Sequence, residues 1–256
     1  MASLPTSRAD MLLTLTDIQN SGDLVSALSG IDIAVPARSN GRKTHHTETY
    51  IACRLLATLA ATNRLTFPIS VSRRDPPNDR PDVVMHAGNA QVGIEITEAI
   101  PKQFAALCAL AEKEFPDHWL PVDLFPWDAE ALSKDESRAL LHQTARPVGG
   151  WLGDAPEREW ALSIKRVVET KFAKLAKGGF QKFDQNWLAI YDNLPLPHVH
   201  LAGAIELLKP LLKDLWACVP AFDTLFIEHG PVIAQLTASE SEHFVIRDLW
   251  QPGAVT

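Results

Sequence analysis

Three cysteines in 256 residues, Cys53, Cys108 and Cys218, are few and widely spaced. There is no CxxC pair and no even set, which argues against a disulfide framework and for a reducing compartment. No stretch approaches the ~20 consecutive apolar residues that a membrane helix needs. Met1 to Asp10 lacks a cationic segment followed by a long apolar one, so no secretory signal is read there. A cytoplasmic protein with no membrane partner is the expectation. Positive charge is also short: the formal net charge is -7 and the pI near 5.7. That removes the broad basic footprint of many nucleic-acid binders, although a local patch can act against an acidic average. No P-loop, GxGxxG or GxSxG occurs, so the usual phosphate-loop, dinucleotide and serine-hydrolase signatures give no lead.

What is present is ordinary globular material. With 46% hydrophobic and 21% charged residues, a sizeable core can form and disorder is not the default. The length predicts one domain over residues 1–256, or one domain with a large insertion. Short amphipathic stretches lie at Met11 to Ile18 and Leu24 to Leu28, before a polar loop at Val35 to Thr44. Ile51, Ala52, Leu55 and Leu59 recur at helical spacing and predict a helix over Thr47 to Leu59. Strands are predicted at Thr66 to Ser72, Asp82 to Met85 and Gln91 to Thr97, the last two joined by a tight turn at Gly88-Asn89.

Phe104 to Phe115 reads as helical. Residues 116–156 mix proline, glycine and tryptophan (Trp119, Trp127, Trp151) and read as an insertion with one helix at Ser133 to His142. A long helix follows from Glu157 to Ala176, stopped by Gly178-Gly179. The remainder predicts a strand at Trp187 to Tyr191, a helix at Leu201 to Leu215, and strands at Thr224 to Glu228, Val232 to Leu236 and Phe244 to Leu249. This order implies an α/β fold, a mixed central sheet flanked by helices.

One constellation carries chemistry. Arg80-Pro81-Asp82-Val83-Val84 is followed about a dozen residues later by Gly93-Ile94-Glu95-Ile96-Thr97. Alternate residues of a strand share a face, so Glu95 and Thr97 point one way and Val92, Ile94 and Ile96 the other. A hairpin between the two strands would bring Asp82 close to Glu95. Two carboxylates projecting together repel unless a cation lies between them, and Mg²⁺ is held in that manner with waters and phosphate oxygens. Asp82 alone also fits a turn-capping role after proline. Glu95 is harder to explain that way, because it interrupts an apolar run in a central strand, where an unpaired charge is costly. Glu48 falls in the middle of the apolar arc of its helix at ~100° per residue, where a solvated glutamate would not sit. Favouring the helix dipole is the competing explanation for it.

These residues resemble the pattern of the PD-(D/E)XK, restriction-endonuclease-like nuclease superfamily. The superfamily has an αβββαβ core, an Asp after Pro on the second strand, a (D/E)-X-K triplet on the third, and in many members a Glu on the first helix. The likeness runs across about Thr47 to Asp192, placing the core at about 44–193, the insertion at about 116–156 and an α/ββ extension at about 198–256. The resemblance implies metal-dependent phosphodiester hydrolysis of nucleic acid, DNA before RNA. Mg²⁺ or Mn²⁺ would be held by Asp82, Glu95, the Ile96 carbonyl and Glu48, and a homodimer is compatible with it.

The sequence departs from the pattern at Thr97, where the lysine should stand. Two other lysines are candidates for its role. Lys171 lies inside the apolar arc made by Trp160, Ile164, Val167, Val168 and Leu175 on the long helix, where its stem could equally cover apolar surface. Lys102 follows the third strand. Lys165 and Lys174 lie nearer the edge of that arc, and Arg73 and Arg74 flank the site; all four are candidate phosphate contacts, as are the loop cations Arg38, Arg42, Lys43 and Arg80. Thr97 and the acidic charge keep a second reading open, a catalytically inactive member of the same fold serving as a binding or assembly module. A zinc hydrolase using His45-His46 or His198-Val199-His200 is a third, although the sequence names no third and fourth ligand. Cys53, in a predicted helix, reads as a buried small hydrophobe.

Overall fold

The computed structural model describes residues 13–75, 80–117, 120, 125–127, 129–143, 151–177 and 180–249. Its elements in chain order are β1 (Thr14–Ile18), α1 (Ser21–Ser29), α2 (Thr44–Ala61), β2 (Ile69–Arg73), β3 (Val83–Ala87), β4 (Ala90–Ala99) and α3 (Lys102–Glu114). There follow α4 (Lys134–His142), α5 (Ala155–Leu175), β5 (Gln185–Asp192), α6 (Leu201–Trp216), β6 (Thr224–His229), β7 (Val232–Leu236) and β8 (Ser241–Val245). A single 3-10 turn, Arg38–Asn40, precedes α2.

The strands form one eight-stranded sheet in sequence order. β1 to β4 pair antiparallel, β4, β5 and β6 run parallel, and β6 to β8 return to antiparallel pairing. The mixed sheet follows from the connections. Hairpins need only a few residues, as at Gly88, whose φ of 58° suits glycine. The parallel steps β4–β5 and β5–β6 each need a crossover helix, here α5 and α6.

The central strands are buried on both faces, so they read as continuous apolar runs. On one face, Leu55, Leu56 and Leu59 of α2 pack with Met85, Ile94 and Ile96. On the other, Trp160, Ile164 and Val168 of α5 pack with Leu188, Ile190 and the α6 residues Ile205 and Leu208. α3 and α4 make a satellite cluster around Leu107 and Leu141. Trp127 of the predicted insertion donates to Ser163 Oγ of α5 at 2.9 Å.

The predicted α/β class, with a mixed sheet between helices, is the one observed. Three details differ. The N-terminal amphipathic stretch contains an edge strand, Thr14–Ile18, paired with β2. Asp82 sits just before β3 rather than within it. The last strand is Ser241–Val245, not Phe244 to Leu249. Past Val245 the chain leaves the ladder, and the Arg247 N–H donates to Thr58 Oγ1 on α2 at 2.9 Å. Trp119 and the expected helix stop at Gly178-Gly179 lie outside the described residues. No helix among the described residues is long and apolar enough to cross a membrane.

Candidate functional site

Register brings Asp82 to Glu95. The last ladder pair between β3 and β4 is Val83 with Ile94, so Asp82 follows on opposite Glu95. On the other side, the Arg74 N–H donates to the Asp82 carbonyl at 2.8 Å, continuing the β2 pairing. The Asp82 side chain then takes over as a ladder acceptor, receiving the Ile96 N–H on Oδ2 at 2.6 Å. Gly93 permits this approach: a Cβ there would lie 2.6 Å from Phe183 Cδ2 and 2.8 Å from Pro81 Cγ. Strand alternation holds as expected. Ile94 and Ile96 enter the α2-side core, leaving Glu95 to face α5.

Lys171 meets Glu95 from α5. Its Nζ donates to Glu95 Oε1 at 2.7 Å and to the Ile96 carbonyl oxygen at 3.0 Å. All three partners are withdrawn from water: Asp82 is 8% exposed and Glu95 5%, and the Lys171 side chain 12%. Glu95 Oε2 has no hydrogen-bond partner among the described residues. Burial, followed by the charges of Glu95 and Glu48, pushes the Asp82 carboxyl up to about 8, against the opposing pull of the Ile96 N–H and Lys171. Lys174 stands nearby, its amine held below the usual lysine range chiefly by the Lys171 charge.

Glu48, on the first turns of α2, points inward as its helical phase predicts, and its Oε2 lies 3.7 Å from Arg73 Nη1. Glu48, Asp82, Ile96, Thr97 and Lys171 all line one cleft of about 660 Å³. Its far side carries Arg38, Arg42 and Lys43. Glu98 organises that side: its Oε1 accepts from Arg38 Nη2 at 2.7 Å and Asn193 Nδ2 at 2.7 Å, with Arg42 Nη2 at 3.5 Å. Nothing in the local sequence marks Glu98 and Asn193; they reach one another because β4 and β5 run parallel in register.

The remaining predicted residues do not join the cleft. Lys102 is the exposed first residue of α3. Lys165 pairs with Glu169 one helical turn on, at 2.9 Å. Arg73 is committed to Glu48 and to Asp75, which it meets at 2.6 Å. Arg74 donates to the Arg80 carbonyl and Gln181 Oε1, stapling the loop before Asp82. Of the predicted histidines, two serve as local caps: His46 Nδ1 accepts from the Lys43 N–H and His200 Nδ1 from the Gly203 N–H. Cys53 is buried, as its helix predicts, and burial pushes its thiol up to about 12.

Elsewhere, at the ends of β5 and β6, Asp192 Oδ2 accepts from Trp160 Nε1 at 2.5 Å and lies 2.6 Å from His229 Nδ1. Among the described residues, no group of three or more His, Cys, Asp or Glu side chains is set to hold a metal ion. No family model, curated protein or solved structure matches the chain.

Proposed function

We propose that this chain is a metal-dependent phosphodiesterase acting on nucleic acid, with DNA the first substrate to test and Asp82 and Glu95 its central carboxylates. The observation that carries the reading is the reach of Lys171 into the carboxylate pair. Thr97 leaves β4 without the lysine of the resembled pattern, and Lys171 brings an amine to Glu95 from α5. The element order α2, β2, β3, β4, α5, β5 supports a restriction-endonuclease-like core, with α3 and α4 inserted after β4 and α6, β6, β7 and β8 appended.

The donor set fits a divalent ion of the magnesium type. It offers hard oxygens only, including Glu95 Oε2, which has no hydrogen-bond partner among the described residues, beside a carboxyl raised first by burial and then by the charges of Glu95 and Glu48. Such an ion, bound by Asp82 and Glu95, would supply Lewis-acid activation of the phosphate and of a water. The chain's own residues do the rest. Asp82 is fixed by the Ile96 N–H, and Lys171 sets the rotamer of Glu95 and places a positive charge beside the reacting phosphate. Glu48, oriented by Arg73, is placed to accept a proton from an attacking water. Burial of the pair excludes bulk water and strengthens each of these charges.

A second reading rests on the same contact. Lys171 already takes one oxygen of Glu95 and the Ile96 carbonyl, which suits a catalytically inactive module whose ammonium replaces the ion. Incubation of plasmid, linear and single-stranded DNA, and of RNA, with Mg²⁺ or Mn²⁺ separates the two. Cleavage by the wild type and none by Asp82→Asn supports the phosphodiesterase. No cleavage of any substrate, with no Asp82-dependent binding of divalent ions, leaves the inactive module.

A further inference from the structure

The cationic side of the cleft has no part in the chemistry above, and its construction points to a ligand. Arg42 donates both Nε and Nη2 to Thr47 Oγ1, at 3.2 and 3.0 Å, so a neutral hydroxyl positions it. Its only carboxylate among the described residues, Glu98, is shared with Arg38. One carboxylate against two guanidinium groups leaves a positive charge uncompensated. Lys43, which lines the same cleft, adds a second cation. An anion in the cleft would meet both.

The size and walls of the cleft narrow the choice. About 660 Å³ lies within the ~300–1,000 Å³ of small-ligand pockets. The 3-10 turn closes one side and is tied to α3 by the Ser39 N–H donating to Glu112 Oε2 at 3.1 Å. α3 lines the cleft with Ala105, Ala106 and Ala109, small apolar side chains on one helix face. A bound duplex instead engages roughly six to ten phosphates over an extended surface. Three cations in a walled cleft, on a chain of net charge -7, do not provide that.

We propose that this cleft receives the terminal nucleotide of a single strand. Its phosphate is held by Arg42 and Lys43 and its base lies along Ala105, Ala106 and Ala109. The next phosphodiester then falls at Asp82 and Lys171. The inference rests on the phosphodiesterase reading and makes the enzyme one that works from strand ends.

The test uses the full chain in EDTA, so that binding is read apart from cleavage. The probe is a 5′-phosphorylated, 3′-fluorescein hexathymidine followed by anisotropy. We expect a log affinity against log salt slope of about -1.4, from ~0.7 for each of the two phosphates neutralised. Lys43→Gln should weaken binding about threefold to tenfold, and Arg42→Gln more. A dumbbell duplex closed at both ends should compete at least tenfold less well than the open strand. Equal competition by the dumbbell, or wild-type binding by both variants, overturns the assignment. So does inorganic phosphate competing as well as the strand, which would mark a phosphate site and no more. Binding of the strand in EDTA without cleavage in Mg²⁺ would sink the phosphodiesterase and leave the cleft standing. Cleavage of the closed dumbbell would do the reverse.

Discussion

Lys171 Nζ lies 2.7 Å from Glu95 Oε1 and 3.0 Å from the Ile96 carbonyl oxygen, joining the middle of β4 to the last turns of α5. The contact places the only positive charge that touches Glu95 among the described residues. Removing one partner of a buried pair strands the other charge, at a cost of roughly 3–5 kcal/mol. Lys171→Met should therefore unfold at a markedly lower denaturant concentration than wild type in EDTA. If a divalent ion binds where proposed, Mg²⁺ should recover part of that loss. Thermal and denaturant melts with and without Mg²⁺ check both statements; an unchanged midpoint in EDTA contradicts the first.

The raised Asp82 carboxyl gives a pH dependence with a definite sign. Its folded value, about 8, lies above the ordinary 3.8, so the native state holds a proton that the unfolded chain releases. Stability from this group is full below about pH 4 and is lost as pH rises through 8. Denaturant midpoints of the metal-free protein between pH 5 and 9 should fall, and Asp82→Asn should flatten that slope. A divalent ion, by replacing the proton, should stabilise most at the alkaline end.

Gly93 is the packing weak point of the site. Gly93→Ala places a methyl 2.6 Å from Phe183 and 2.8 Å from the Pro81 ring, so one of them must shift. Overpacking of this kind costs typically 1–3 kcal/mol. Because Pro81 leads directly into Asp82, the variant should lose divalent-dependent activity beyond its loss of stability. Activity measured well below the variant's melting temperature separates the two effects.

The Asp192, His229 and Trp160 network stands at the ends of β5 and β6, apart from the residues that line the cleft. His229→Ala removes one hydrogen bond to a buried carboxylate and should cost about 1–3 kcal/mol, leaving nucleic-acid cleavage at the wild-type rate. A large loss of turnover in a folded His229→Ala protein would show that the pair takes part in the reaction.

Glu48→Gln keeps the shape of the side chain and removes its charge. Since Glu48 helps to raise the Asp82 carboxyl, the substitution should lower the Asp82 midpoint, seen as a shift of the stability profile toward acid pH. If Glu48 is the general base, it should also slow cleavage by ~10²–10⁴-fold.

Local pattern in the sequence determined a good deal of this protein. Helical phase put Glu48 and Lys171 on inward arcs, because side chains three and four residues apart share a face. Strand alternation set Glu95 against its apolar neighbours, and the long apolar runs required strands buried on both faces. Only the tertiary structure decided which cation answers Glu95. Lys171 and Lys102 are equally lysines in the sequence; α5 crosses behind β4 and delivers the first, whereas Lys102 begins an exposed helix. It also decided that Arg73 and Arg74 serve the loop before Asp82, and that Glu98, Asn193, Arg38 and Arg42 form one network. Those contacts join residues up to 95 apart through parallel strand pairing, a relation set by crossover connections and register rather than by any neighbouring residue.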